Sequence, residues 1–151
     1  MTPAFTLLLA TGIGLLIGLE RGWRHRDEHE GGRIAGIRTF SLLGLGGALS
    51  GLAGTALSPW LSVVGMAAIS AVILLAHRAR LAEPDEDVSA TNAVVGILTA
   101  LLGLIAAIGF WREALVAGGC TALILSMREE LHQWLRRLSA QDIKAAAQYG
   151  A

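Results

Sequence analysis

Four long stretches of the chain contain no charged residue and no histidine. They cover residues 3–19, 39–76, 88–111 and 114–127. A helix needs roughly 20 mostly apolar residues to cross a bilayer, with a range of about 17–25. The pattern therefore predicts an all-α fold, a polytopic membrane helix bundle.

The longest stretch is predicted to hold two helices separated at Ser58-Pro59-Trp60. Proline cannot continue a helix, and tryptophan favours the membrane–water interface. Five spans follow, at about 3–19, 39–57, 60–76, 90–109 and 113–128. The fifth has the shortest uncharged core. We expect it to span with Arg112 and Arg128 snorkelling at its ends, and an interfacial or tilted placement is the alternative.

The chain changes character after Arg128. Apolar residues recur there at helical spacing, at Leu131, Trp134, Leu135 and Leu138. This predicts an amphipathic helix on the cytoplasmic leaflet, followed at 139–142 by a motif similar to a capping box. We assign 1–128 to a transmembrane domain and 129–151 to a cytoplasmic juxtamembrane tail. We expect the tail to be the start of a linker to a further domain.

The basic residues predict the orientation. With five spans, eleven of the twelve lysines and arginines fall on one side of the membrane, and only Arg112 falls on the other. Positive residues concentrate in cytoplasmic loops. The N-terminus is therefore predicted outside and the C-terminus in the cytoplasm.

The composition agrees with a membrane protein and narrows its chemistry. Hydrophobic residues make up 54% of the chain and charged residues 16%, and the mean hydropathy is +0.58. In soluble proteins about 25% of the residues are usually charged.

The formal net charge is zero, so no nucleic-acid partner is predicted. The lone Cys120 excludes an internal disulfide and is expected to be a small packing residue. No cleaved signal peptide is predicted.

Small residues recur four apart in the first two spans. Gly14 with Gly18, and Gly47 with Gly51, form GxxxG patterns. Such spacing lets two helix backbones approach closely. The patterns predict either packing within one subunit or a homo-oligomer face, of which a dimer is favoured.

The span interiors contain hydroxyls and amides but no ionisable side chain. The hydroxyls include those of Thr11, Ser41, Ser50, Thr55, Ser70, Thr99 and Thr121. Intramembrane carboxylates or histidines mark ion-coupled transport, so a classical pump formed by this segment alone is disfavoured. We expect the hydroxyls to bond to helix backbones, with a pore lining as the alternative. No nucleophile–base pair or nucleotide motif is found, so no enzyme is predicted.

The segment 20–38 is the richest in side chains that could form a functional site. Glu20 ends the first span and Arg38 begins the second at the same membrane face, which predicts an ion pair. The pair would either fix the two helices or recognise a cation or partner.

Two charged clusters are weaker metal candidates. His25, Glu28 and His29 match the H-x-x-E-H zinc pattern, but no third ligand is obvious and a solvated loop is favoured. Glu83 and the acidic residues 85–87 could hold a hydrated Mg²⁺, and here too a solvated loop is favoured.

Two motifs that follow one another along the chain carry a family resemblance. GLLIGLER at 14–21 and AGIRTF at 35–40 resemble the N-terminal membrane domain of the MgtC/SapB family. The stretch from VSATN at 88–92 to residue 142 is similar to a branch of that family with a second, uncharacterised membrane domain.

The resemblance implies a protein of the bacterial inner membrane, linked to Mg²⁺ or general cation homeostasis through partner membrane proteins. A channel or transporter subunit, completed by oligomerisation or a further domain, is the alternative. No cofactor is firmly predicted, and Mg²⁺ is the candidate ion. The recognition residues are predicted to be Glu20, Arg21, Arg38, Thr39, Thr91 and Asn92.

Overall fold

A computed structural model describes residues 2–24, 36–81 and 90–127, which form five helices and no strand. The helices are α1 (Pro3–Arg24), α2 (Ile37–Ala56), α3 (Pro59–Leu81), α4 (Ala90–Ala107) and α5 (Trp111–Ser126). The predicted all-α fold class is confirmed. The tail 129–151, which is predicted to be cytoplasmic, lies outside the described residues.

The residues at the helix ends determine where the helices begin and end more closely than hydropathy does. α3 begins at Pro59, as the break at Ser58-Pro59-Trp60 predicts, because the first helical position needs no N–H donor. α1 and α3 each continue about five residues beyond the uncharged stretch. Hydropathy marks the depth of the bilayer, whereas a helix continues through its interfacial arginines. Gly109, at a φ of +111°, makes the tight turn into α5.

The helices pack around α2 and α4. α4 contacts each of the other four helices, and α2 contacts α1, α3 and α4. Gly18 faces Ile37 and Gly44 faces Ala10, so α1 and α2 are antiparallel. Gly47 faces Ala100, and Gly51 faces Leu104, so α2 and α4 run in the same direction.

This topology brings charged residues together at one end of the bundle. The C-terminal ends of α1 and α3 lie beside the N-terminal ends of α2 and α4. We call this the charged end and define it by five residues: Glu20, Arg21, Arg38, Arg78 and Arg80.

Glycines hold the central helices at backbone contact. A Cβ atom on Gly14 would collide with the Phe40 carbonyl, one on Gly47 with the Ala100 carbonyl, and one on Gly103 with the Gly44 carbonyl. Only glycine permits this approach, which is the packing mode that small residues allow between membrane helices. The largest fully buried side chains, Phe40, Ile17, Leu102 and Thr99, complete the core.

Four of the helices are long and apolar enough to cross a membrane. The segments are Pro3–Gly22, Ile37–Ala56, Pro59–Arg80 and Ala90–Ala107. Large apolar side chains point outward on them, such as Leu8, Leu42 and Val72, each about two-thirds exposed or more. An outward apolar surface of this kind belongs in lipid. The protein is therefore a multi-pass membrane protein that contacts the bilayer.

The sixteen-residue α5 is shorter than these four, and its spanning placement stays a prediction that Cys120 can test. Cys120 is exposed and lies in the second half of α5. If α5 spans, the thiol faces acyl chains, so we expect a membrane-impermeant maleimide to leave it unmodified in intact vesicles. Modification should become complete after denaturation, as measured by mass spectrometry.

A matched control uses the end of the same helix. Arg112 is exposed beside Trp111, with its guanidinium carbon 5.1 Å from the ring centroid. In a Cys120→Ala background, Arg112→Cys should react without denaturation when the reagent reaches that side. Equal reaction at both positions would place α5 in the interface.

Candidate functional site

A cavity of about 100 Å³ opens between α2, α3 and α4 at the charged end. Its lining combines polar and apolar side chains: Thr39, Phe40, Leu43, Ile73, Ala76, His77, Arg80, Asn92, Ala93 and Gly96. Of the six predicted recognition residues, the cavity brings together Thr39 and Asn92.

Helical periodicity explains why these residues meet. Ile73, Ala76, His77 and Arg80 stand at i, i+3, i+4 and i+7, so they share one face of α3. Thr39 and Asn92 are each the third residue of their helix. Because α2 and α4 are parallel and α3 runs from the opposite end, the first turns of two helices face the last turns of the third.

Gly96 shapes the floor of the cavity. A Cβ at that position would lie 3.3 Å from Ile73 Cδ1 and 3.4 Å from Leu43 Cδ1. The glycine therefore lets α4 fit against both side chains. The floor is apolar, whereas the polar groups of Thr39, His77, Arg80 and Asn92 belong to residues near the helix ends.

His77 and Arg80 were not among the predicted site residues. Arg80 counts in the sequence only as one of the eleven basic residues that predict the orientation, and no role is predicted for His77. A signal was present, since both residues continue the helical spacing of Ile73 and Ala76 beyond the apolar stretch. Which helices that face would meet depends on tertiary packing, and the spacing alone does not specify it.

Glu20 and Arg21 lie apart from this cavity. Glu20 is half-buried and lines a wide, open groove between α1 and α5, together with Leu16, Leu19 and Ser126. Arg21 is 7% exposed and follows Ile17 and Gly18 on the inward face of α1. The two neighbours diverge because consecutive helical residues are rotated by about 100°.

The other predicted residues take different positions. Arg38 and Thr91 are exposed in the first turns of α2 and α4 and do not line the cavity. The Glu20–Arg38 ion pair stays a prediction. The described residues contain no group of three or more His, Cys, Asp or Glu side chains that could hold a metal. His25, Glu28, His29 and the acidic segment 83–87 lie outside the described residues.

The predicted glycines make contacts within one chain. Gly14 and Gly18 of α1 meet α2, and Gly47 and Gly51 of α2 meet α4. Each would place a Cβ under 3 Å from an atom of the neighbouring helix.

Hydroxyl groups on the described helices mostly donate to their own helices. Thr11, Thr99 and Thr121 each donate to the carbonyl four residues earlier, at an oxygen–oxygen distance of 2.7 Å. Ser62 donates across helices to the Ser50 carbonyl at 3.0 Å. These bonds satisfy the hydroxyl protons within the bundle.

Comparison with known proteins gives two matches. Residues 7–134 match the MgtC family. The chain is also 32% identical to Protein SrpB of Synechococcus elongatus, over 89% of this chain and 80% of that protein. No solved structure matches the chain.

Proposed function

The chain belongs to the MgtC family, and from that premise we propose that it is a non-enzymatic membrane module that supports Mg²⁺ and general cation homeostasis. It acts by contact with partner membrane proteins or with further copies of itself. Its site of action is the bacterial cytoplasmic membrane, with the N-terminus outside and the C-terminus in the cytoplasm.

The tight packing of the bundle centre carries this proposal. Backbone contacts at Gly14, Gly47 and Gly103 bring α1, α2 and α4 together without intervening side chains. Thr99, in the middle of α4, is fully buried and donates to its own helix. Such packing leaves little room for a hydrated ion to pass through the centre of one chain.

A transport subunit is the second candidate, and the groove between α1 and α5 favours it. The groove is lined mainly by apolar side chains and contains one carboxylate, Glu20. A carboxylate near a membrane boundary suits cation binding. If a second copy or a further domain covered this groove, a pathway could form at the covered surface.

Mg²⁺ flux into proteoliposomes separates the two candidates. For the regulatory module we expect no flux above that of empty liposomes. In a bacterial host that lacks its own family member, the same chain should restore growth at low Mg²⁺. Glu20→Ala should impair that growth if the α1–α5 groove receives a partner.

Glu113 supplies the matched control, because Glu113 and Glu20 are the two glutamates in the described part of the chain. Glu113 is exposed in the first turn of α5, at the opposite end of the bundle. Glu113→Ala should leave growth unchanged. Saturable Mg²⁺ flux that Glu20→Ala abolishes and Glu113→Ala preserves would contradict the regulatory module and establish transport.

A further inference from the structure

Aromatic side chains stand at both turns of the bundle end opposite the charged end. Residues 57–58 connect α2 to α3, and residues 108–110 connect α4 to α5. Both turns lie wholly within the described residues. Trp60 is in the first turn of α3, Phe110 is the N-cap residue of α5, and Trp111 begins that helix. We call these three residues the aromatic end.

The two turns lie at similar depth along the bundle. On α2, Gly51 faces Ala107 at the end of α4, and Gly54 faces Ser62 in the first turn of α3. The two glycines are three residues apart, which is roughly 4.5 Å along a helix. The interfacial layer on each side of a bilayer is about 5–8 Å thick. One such layer can therefore contain both turns.

The rings lie on different sides of the bundle. In the described part of the chain, α3 contacts α2 and α4, whereas α5 contacts α1 and α4, and α3 and α5 do not contact each other. The central helices therefore separate Trp60 from Phe110 and Trp111. A docked protein covers one continuous patch, whereas a lipid layer surrounds the bundle on every side. This distribution favours lipid, since aromatic belts mark the membrane–water interface.

The side chains at this end suit the interface chemically. Trp60 is 74% exposed. Trp111 packs against the hydrophobic core, and the Arg112 guanidinium lies over its ring as a cation–π pair. Residues within five positions of either turn are uncharged except Arg112 and Glu113. An indole ring combines an apolar body with one N–H donor, so it favours the level of the lipid headgroups.

We propose that the aromatic end binds the interfacial layer of one leaflet and fixes the depth of the bundle in the bilayer. Trp60 anchors one side of the bundle, and Phe110 and Trp111 anchor another. The partner is a lipid surface. Such an anchor requires only that the bundle crosses the bilayer, so it goes beyond the role in Mg²⁺ homeostasis and serves a regulatory module and a transport subunit alike.

Tryptophan fluorescence in lipid nanodiscs tests where the rings lie. The chain has four tryptophans, Trp23, Trp60, Trp111 and Trp134, and replacing three of them with phenylalanine leaves either Trp60 or Trp111 as the emitter. The quenchers are phosphatidylcholine brominated near the glycerol, phosphatidylcholine brominated near the terminal methyl groups, and acrylamide in the water. We expect the shallow bromine to quench both tryptophans most strongly, because it lies closest to the interface.

Val72→Trp is the matched control, in a chain whose four native tryptophans are replaced by phenylalanine. Val72 is exposed near the middle of α3, so the new ring should be quenched most strongly by the deep bromine. Quenching of Trp60 or Trp111 mainly by acrylamide would place that turn in water. Protection from all three quenchers would indicate a protein cover, such as a second copy. Either result would overturn the proposal.

A spin label on Cys120 tests the anchoring role. Cys120 is the single cysteine of the chain and is exposed on α5, and the exposure of the label to oxygen and to a nickel chelate reports its depth. Trp60→Ala should shift that depth. Trp60→Tyr should preserve it, because tyrosine also favours the interface. Since Trp60 is exposed, neither change is expected to prevent folding.

Leu57→Ala is the control for the spin-label experiment. Leu57 is exposed in the α2–α3 turn and is aliphatic, so its truncation should leave the depth of the label unchanged. An unchanged depth in Trp60→Ala, or an equal shift in Leu57→Ala, would overturn the anchoring role. Neither readout involves Mg²⁺, so both results are independent of flux and growth.

Discussion

Gly47→Ala is expected to destabilise the bundle by at least about 2 kcal/mol. The added Cβ would collide with the Ala100 carbonyl oxygen and lie 2.6 Å from its carbon. Neither atom can rotate away, because both belong to the backbone of α4, so α2 and α4 must separate. Overpacking a tight interior typically costs about 1–3 kcal/mol even where side chains can yield. Unfolding in mixed micelles titrated with a denaturing detergent measures the change.

Two other glycines, one in α2 and one in α1, provide controls for the same substitution. In Gly46→Ala the new Cβ meets only the end of the Ile69 side chain, at 3.3 Å, and in Gly12→Ala it meets nothing within 4 Å. Both changes also add an alanine to a helix, which intrinsically favours helix formation over glycine by about 1 kcal/mol. We expect both controls to lie within about 1 kcal/mol of the parent chain. A Gly47→Ala variant as stable as these would contradict the observed packing.

Because the GxxxG glycines contact other helices of the same chain, substituting them does not test association between copies. The GxxxG patterns alone allow a dimer face as well as packing within one subunit, and leucine at Gly14 or Gly47 is the obvious test of a dimer face. Both glycines face backbone within the chain. A larger residue there separates α1 from α2, or α2 from α4, before it reaches any interface between copies. Oligomerisation is better tested on outward residues such as those of α3, whose span has no buried residue.

The helices could be predicted from sequence because one physical requirement dominates them. Every backbone polar group must be satisfied inside the bilayer, so a long uncharged stretch has few alternatives to a helix. The proline at position 59 places a helix start by the same local logic, since it removes a donor. Both signals depend on the local sequence, so tertiary packing does not change the helices that they predict.

The composition of the cavity could not be predicted in the same way. Thr39 and Asn92 belong to the two stretches that carry the family resemblance, whereas His77 and Arg80 belong to neither. Their meeting depends on α3 lying against both α2 and α4, a pairing that hydropathy does not encode. Glu20 and Arg21 show the same limitation, since adjacent residues of one motif point to different surroundings.

Phe40→Ala is expected to cost about 3 kcal/mol, at the lower end of the range for removing a buried phenylalanine. Phe40 is 1% exposed, it is among the largest fully buried side chains, and its Cβ lies against α1 at Gly18. Lipid is as apolar as the protein core. The loss is therefore mainly of close packing against α1 and its neighbours. The same denaturing-detergent titration measures it.

The other two phenylalanines of the chain serve as controls. Phe5 is 45% exposed and Phe110 is 55% exposed, so truncating either ring removes fewer contacts than truncating Phe40. We therefore expect Phe5→Ala and Phe110→Ala each to change the free energy of unfolding by about 0.5 kcal/mol or less. Phe40 also lines the cavity between α2, α3 and α4. Truncation there should therefore enlarge that cavity as it lowers stability. A Phe40→Ala variant as stable as the two controls would show that α1 and α2 do not pack around this ring.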